Sequence, residues 1–235
     1  MSWTSDGWST SIGGEEVLRR VDRALSPVSC EQYIRIQNYR FGKPDPTVVI
    51  YLAKQEHDRQ VALLVEPESL RQRAVLRDGS RVLVQDPDRP SARQSGLPES
   101  SFGGGVVNNS DVLRTDYGSE YDATLVSEDQ ESYRLLLEAR DPASIANHIA
   151  LKVDRQRFIP LQEDQYNARG ALIKRIEYKG LITYPDGLVR PSLARVTSPL
   201  NRGHVSEMFV GDIQARHFSK NFNEDTLQDV GALLR

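Results

Sequence analysis

Apolar residues recur at two spacings in this chain, a helical spacing near the start and strict alternation over most of the rest. In residues 14–25 the apolar side chains fall on one helical face and predict an amphipathic helix. Glu15 and Glu16 suit the first turn of that helix, and Ser26-Pro27 ends it. The apolar face comprises Val17, Leu18, Val21, Ala24 and Leu25.

Alternation of apolar and polar residues predicts about eleven or twelve β-strands after this helix. Strands with one apolar and one polar face belong to antiparallel sheets. The fold class is therefore mainly β, with helices added (α+β), and so many strands joined by short turns must close or curl to protect the sheet edges. The predicted strands are residues 30–41, 47–56, 59–66, 71–77, 81–86, 120–128, 131–140, 148–155, 158–166, 171–179, 188–197 and 203–218.

Residues 88–117 break the pattern, because they are too long for an ordinary connection in a compact domain. This segment contains three consecutive glycines, 103–105, and then a short predicted helix capped by Asn109 or Ser110. Two interpretations stay open: a glycine-hinged lid over a cavity, or a crossover that plugs the open side of the sheet. The apolar residues expected to pack this helix onto the sheet are Val112 and Leu113.

Two predicted strands, within residues 48–53 and 61–65, are apolar on both faces. Such strands need cover on both faces. We expect the N-terminal helix and the lid to provide one cover, and the concave side of the sheet to keep a groove. That groove is the candidate binding site.

Composition narrows the classes of function. With 38% hydrophobic residues, 27% charged residues and a formal net charge of −3, the chain is typical of globular proteins, and nucleic acid is not an expected partner. No apolar stretch approaches the roughly 18 residues of a membrane-spanning helix. The first residues also lack the basic and apolar regions of an export signal.

Side chains that carry catalysis are scattered. The single cysteine, Cys30, is expected to be a small buried core residue, and four histidines are little material for a zinc site. No Walker A loop, G-x-S-x-G elbow or Rossmann glycine pattern is present. We therefore expect neither an enzyme nor a metal or cofactor. Three carboxylate pairs are expected to be solvated at a helix start or in turns: Glu15-Glu16, Glu128-Asp129 and Glu163-Asp164.

One long motif resembles a known family. Residues 102–117, which read FGGGVVNNSDVLRTDY, and the following Tyr121-Asp122-Ala123 are similar to the central motif of the LolA-like outer membrane lipoprotein-sorting family. Weaker matches lie in order along most of the chain from about Glu15 onward: Leu25-Ser26-Pro27, Asp78-Gly79, Val153-Asp154, Ile159-Pro160-Leu161, residues 170–174 and Val189-Arg190-Pro191.

The resemblance implies a single curled, unclosed antiparallel β-barrel, with an N-terminal helix and a short lid helix across its mouth. It also implies a hydrophobic cavity that accepts acyl chains of lipoproteins or other lipids in the periplasm, without a cofactor. Some relatives carry lipoproteins to an outer-membrane acceptor, and others sense envelope stress. Transporters of the resistance-nodulation-division type are further expected partners. Two functions stay open: a carrier, or a protein-interaction module acting with a transporter or regulator.

The resemblance also bears on the start of the chain, because exported relatives begin with a signal peptide that is absent here. We expect residues 1–13 to be a disordered leader or a remnant of cloning after signal removal, and residues 14–235 to form one LolA-like domain. The mature protein is expected in the periplasm.

The predicted site has two parts. The face of each strand is not settled by the pattern, and no strand residue is assigned as the basic group that holds the lid shut in known carriers. Arg114 and Asp116 match the family motif and are expected to anchor the lid by ion pairing. The predicted cavity residues are Val48, Ile50, Leu52, Leu63, Val65, Phe102, Val106, Val107 and Leu113. The predicted lid and hinge residues are Gly103, Gly104, Gly105, Asn109, Asp111, Arg114, Asp116 and Tyr117.

Overall fold

The computed structural model describes residues 12–25, 29–56, 59–99, 101–102, 104–114, 116–185, 187 and 189–229. Three predictions fall wholly or mostly outside these ranges: the leader, the Ser26-Pro27 helix end and the hinge glycine Gly103.

The described residues form three α-helices and fifteen strands. The helices are α1 (Gly14–Leu25), α2 (Asn109–Val112) and α3 (Glu224–Gln228). The first seven strands are β1 (Cys30–Arg40), β2 (Lys43–Pro44), β3 (Val48–Gln55), β4 (Arg59–Glu66), β5 (Ala74–Asp78), β6 (Arg81–Gln85) and β7 (Arg93–Ser95). The others are β8 (Tyr121–Glu128), β9 (Ser132–Ala139), β10 (His148–Asp154), β11 (Pro160–Tyr166), β12 (Leu172–Thr183), β13 (Val189–Thr197), β14 (His204–Val210) and β15 (Gln214–Ala215).

All these strands belong to one antiparallel sheet that does not close. Its order is β7-β6-β5-β4-β3-β1-β14-β13-β12-β11-β10-β9-β8, with β2 and β15 paired to the ends of β1. The two edge strands, β7 and β8, follow one another in the chain but lie at opposite edges. The connection between them, residues 96–120, carries α2 and crosses the concave side; we call it the lid segment.

Helix α1 covers one half of the concave side. Its apolar face packs on β8, β9 and β10, as its spacing predicts. Gly14 allows the close approach, because a Cβ there would lie 2.6 Å from the Ala123 carbonyl oxygen. The buried residues of this contact include Val17, Leu18, Val21, Tyr121, Leu137 and Ile149.

The lid segment covers the other half. Its apolar side chains join those on the inner faces of β1, β3–β6 and β12–β14 in one cluster, which we call the inner cluster. The lid contributes Phe102, Val106, Val107, Val112 and Leu113.

A third element covers the outer face of β3–β6, and the sequence did not reveal it. Phe218, Phe222 and Leu227, from the C-terminal segment around α3, pack there in what we call the outer cluster. The two-sided apolar strands are therefore covered by the lid inside and by the C-terminal segment outside. The expectation that α1 covers these strands was wrong, because α1 lies over β8–β10.

Several predicted boundaries also change. The predicted strand 203–218 is two strands, β14 and β15, and β7 lies inside the region predicted as a loop. Asn108, not Asn109 or Ser110, caps α2, and its side chain and that of Asp111 form a reciprocal capping box.

Candidate functional site

The candidate site is a cavity of about 190 Å³ bordered by α1, the lid segment and the centre of the sheet. Its apolar wall belongs mostly to the inner cluster. Its other wall is polar, with residues from α1, β3, β4 and the lid. The apolar lining includes Ile34, Leu52, Val112, Ile176, Ala194 and Met208.

The predicted cavity residues divide between two faces. Seven join the inner cluster: Val48, Ile50, Leu52, Phe102, Val106, Val107 and Leu113. Leu52 borders the cavity, whereas the lid residues Phe102, Val106, Val107 and Leu113 fill the concave side next to it.

Leu63 and Val65 were assigned to the wrong face. Both pack in the outer cluster, and Ala62 and Leu64 take the inner positions on β4. A break in the pairing between Val49 and Ile50 shifts β3 against β4, so that Ile50 lies opposite Leu64. Because every position from 61 to 65 is apolar, the alternation carries no information about which face is inner.

Two long polar side chains of the sheet bind the backbone of the lid. Gln60 and Arg77 lie side by side on β4 and β5, at the polar end of the inner face. Arg77 Nη1 donates to the Leu113 carbonyl oxygen at 2.7 Å, and Gln60 Nε2 donates to the Arg114 carbonyl oxygen at 2.8 Å. These bonds satisfy two carbonyl groups at the end of α2.

A buried carboxylate holds the lid from the opposite side of the cavity. Glu163 on β11 is fully buried and accepts bonds from Arg114 Nη1 at 3.0 and 3.1 Å. It also accepts from the hydroxyls of Tyr117 and Tyr178 at 2.6 and 3.0 Å, and from Gln165 Nε2 at 2.8 Å. The prediction that Glu163 and Asp164 are solvated was wrong, because Glu163 lies inside β11 and points inward, and Asp164 is only 8% exposed.

The ion pair outweighs the cost of burial. Burial alone would raise the pKa of Glu163, but Arg114 and the hydrogen bonds hold this pKa below its usual value. Burial opposes the charge on Arg114 as well, and Glu163 raises the pKa of Arg114 well above normal. Both groups are therefore charged in the closed lid.

Two further carboxylates anchor the lid. Asp111 pairs with Lys174 of β12, and both side chains are buried. Asp22 of α1 accepts the backbone N–H groups of Tyr117 and Gly118 at 2.8 and 2.9 Å. Burial raises the pKa of Asp22 to about 6 despite these two bonds.

The remaining lid residues bind within the loop or to β1 and β14. Asn109 is buried, and its Oδ1 accepts the Ser101 N–H at 3.0 Å. Asp116 accepts the Ser119 N–H at 2.6 Å. Gly105 has a φ of +84°, and a Cβ there would lie 2.1 Å from Asn38 Oδ1, whereas Gly104, at +89°, has open space around it. Position 105 therefore requires glycine, because the backbone of the lid lies directly against Asn38 of β1 there.

Sequence reasoning missed the strand residues that hold the lid: Gln60, Arg77, Glu163 and Lys174. The signal for Lys174 is a polar side chain at a position where the alternation expects an apolar one, between Leu172 and Ile176, whereas Glu163 lies in a polar stretch and gives no such signal. Cys30 is buried as expected, and burial raises the pKa of its thiol.

No group of three or more His, Cys, Asp and Glu residues within the described ranges could hold a metal ion. In the same residues, none of the helices has the length and apolar character needed to cross a membrane.

The fold is found in several solved structures. A family model described as an uncharacterized protein matches residues 56–229. A LolA superfamily protein from Nitrosomonas europaea is 22% identical with a TM-score of 0.80, and the match covers 92% of this chain and 98% of that one. A putative outer membrane lipoprotein-sorting protein domain from Vibrio parahaemolyticus is 16% identical with a TM-score of 0.74, covering 94% and 98%.

A DUF1329 family protein from Desulfovibrio piger is also similar, at 16% identity and a TM-score of 0.75, with 93% of this chain and 97% of that chain covered. No curated protein matches this chain. The similarity to solved structures establishes the fold, a curled and unclosed antiparallel sheet, as the sequence motif predicted.

Proposed function

We propose that this chain, which belongs to the family whose model matches residues 56–229 and has the fold of LolA-like proteins, is a periplasmic carrier that holds acyl chains of lipoproteins or other lipids beneath its lid. The observation that carries this proposal is the cavity itself. It lies between an apolar sheet face and a lid held by side chains rather than by strand pairing. Outer-membrane lipoprotein sorting or lipid transport is the process we assign to it.

The size of the cavity limits what the closed lid accommodates. A cavity of about 150 Å³ holds one benzene molecule, so about 190 Å³ leaves room for seven or eight carbon atoms of a chain. At about 0.8 kcal/mol for each methylene, burying eight of them contributes about 6 kcal/mol, from which the entropy of ordering the chain is subtracted.

A longer chain must displace the lid. The lid side chains Phe102, Val106 and Leu113 occupy the rest of the concave side, and an acyl chain can replace their contacts with its own methylenes. Opening then requires that the bonds donated by Arg77 and Gln60, and those that Glu163 accepts from Arg114, break. Binding and release are thus exchanges of contacts, with no covalent chemistry.

Binding of a fluorescent probe with one alkyl chain, N-dansyl dodecylamine, tests the proposal. Ala194 lines the cavity, and Ala194→Leu should fill part of it. We expect this variant to be at least as stable as the original protein and to bind the probe at least tenfold more weakly, because about three methylene contacts are lost.

Ala150→Leu is the matched control, since Ala150 is an exposed position on β10 far from the cavity. It should bind the probe as the original protein does. A folded protein that takes up no probe would contradict the proposal and would favour an interaction module of the envelope instead.

A further inference from the structure

The polar wall of the cavity contains buried atoms with no hydrogen-bond partner. They are Gln32 Oε1, Gln60 Oε1, Asp111 Oδ1 and Arg114 Nε. All four residues line the cavity, which places two of these atoms on the sheet and two on the lid. Buried polar atoms in proteins are nearly always paired, so such a group around one cavity indicates a ligand with matching polar atoms.

The chemistry of two acceptors is fixed by their other bonds. Gln60 Nε2 donates to a backbone carbonyl, so the side-chain amide cannot be turned around and its oxygen remains an acceptor. The Asp111 side chain is fully buried, and its other oxygen, Oδ2, accepts from Lys174 and from the Asn108 N–H. Gln60 itself is 1% exposed.

The fourth atom, Arg114 Nε, is a donor. The set therefore offers fixed acceptors together with one donor, and a carboxamide has the complementary pattern of N–H donors and one carbonyl acceptor. A carboxylate has no donor, so it would leave Gln60 Oε1 and Asp111 Oδ1 unpaired.

The position of these atoms suits an amphiphile. Gln32 lies directly across from Leu52 in the pairing of β1 with β3, and Gln60 lies across from Lys54, two residues further along. The inner face thus changes within one or two residues from apolar, at Ile34 and Leu52, to polar. An alkyl chain on the apolar wall would place its head group at the polar atoms.

We propose that this cavity selects an acyl chain whose head is an uncharged hydrogen-bond donor of the carboxamide type, and discriminates against free fatty acids. This inference rests on the proposed function, because it names the class of ligand for the same cavity. It assigns to Gln60 a role in ligand selection in addition to its bond to the lid.

Three ligands with the same octyl-length chain test the inference by calorimetry at about pH 8, where a free carboxylic acid is ionised. Octanamide has donors, methyl octanoate is uncharged without donors, and octanoate is anionic without donors. We expect octanamide to bind at least tenfold tighter than either of the others. Equal binding of octanamide and methyl octanoate would overturn the inference, since water alone would then satisfy the polar atoms.

Gln60→Leu should reduce the preference for octanamide at least fivefold. Gln85→Leu is the matched control, because Gln85 also has a buried unpaired Oε1 and an Nε2 bound to backbone carbonyls, but lies outside the cavity. It should keep the full preference. If Gln60→Leu does not fold, Gln32→Leu serves in its place, and a preference unchanged in the folded variant overturns the inference.

The two proposals fail differently. If all three ligands bind with equal affinity, the acyl-binding function stands and the head-group selection is wrong. If none of them binds and the dodecyl probe is also rejected, the function itself is wrong.

Discussion

Removal of the Glu163 carboxylate tests how the lid is held. Glu163→Ala takes the counter-ion from Arg114, whose side chain is only 13% exposed, and removes the acceptor of Tyr117 and Tyr178. Loss of one partner from a buried ion pair costs about 3 to 5 kcal/mol, because the other charge stays buried without compensation. That cost is a large fraction of the roughly 5 to 15 kcal/mol by which such domains are stable.

The neighbouring residue provides the control. Asp164 also binds an arginine, Arg175, but the Arg175 side chain is 45% exposed and water can replace its partner. Asp164→Ala should therefore cost no more than about 1 kcal/mol. Urea unfolding followed by far-ultraviolet circular dichroism gives both free energies of unfolding, provided that the slope with denaturant is unchanged. Equal costs for the two variants would refute the account of Glu163 as the buried anchor of the lid.

Two further perturbations probe the lid. The pKa of Asp22 is raised to about 6 from the ordinary value of 3.8, so folding favours the uncharged form of this carboxyl group. The resulting stabilisation is fully present below pH 3.8 and is lost as the pH rises through about 6. Relative to Asp22→Asn, the original protein should thus lose about 2 to 3 kcal/mol of unfolding free energy between pH 4 and pH 7, and parallel pH profiles would contradict the burial of this carboxylate. Gly105→Ala should cost about 2 to 4 kcal/mol, from a positive φ and a clash with Asn38, whereas Gly104→Ala should cost only the conformational strain of about 1 kcal/mol. Urea unfolding measures the free energy of unfolding of both glycine variants. Similar costs would show that position 105 is not in close contact with Asn38.

The sequence predicts the fold well wherever one face of a helix or strand is exposed to solvent. Helix α1 has the predicted bounds, Gly14–Leu25, because its apolar stripe and acidic first turn agree. Strands β8 to β10 also match closely, since each alternates between apolar and polar residues. The motif in residues 102–117 then supplied the overall architecture, which local patterns do not encode.

The face of β4 could not be predicted, because that strand is apolar throughout and its pairing with β3 contains a register shift. The position of Glu163 was equally hidden. A carboxylate pair in a polar stretch is expected to be solvated, and only the tertiary structure brings Arg114 to Glu163 from 49 positions away along the chain. The C-terminal cover at Phe218 and Phe222 is short and irregular, so it gives no periodic signal.

The central claim is that acyl chains bind where the lid now lies, and hydrogen exchange of the lid amides tests it most directly. The N–H groups of Val106 and Tyr117 join the lid to the rest of the protein in the closed form, because they are bound to Ser206 Oγ of β14 and to Asp22 Oδ1 of α1. An octyl ligand fits the closed cavity and should leave both amides protected, whereas a hexadecyl ligand must displace the lid. We predict that the longer ligand speeds exchange of both amides at least tenfold. Unchanged protection with the hexadecyl ligand bound would contradict the account.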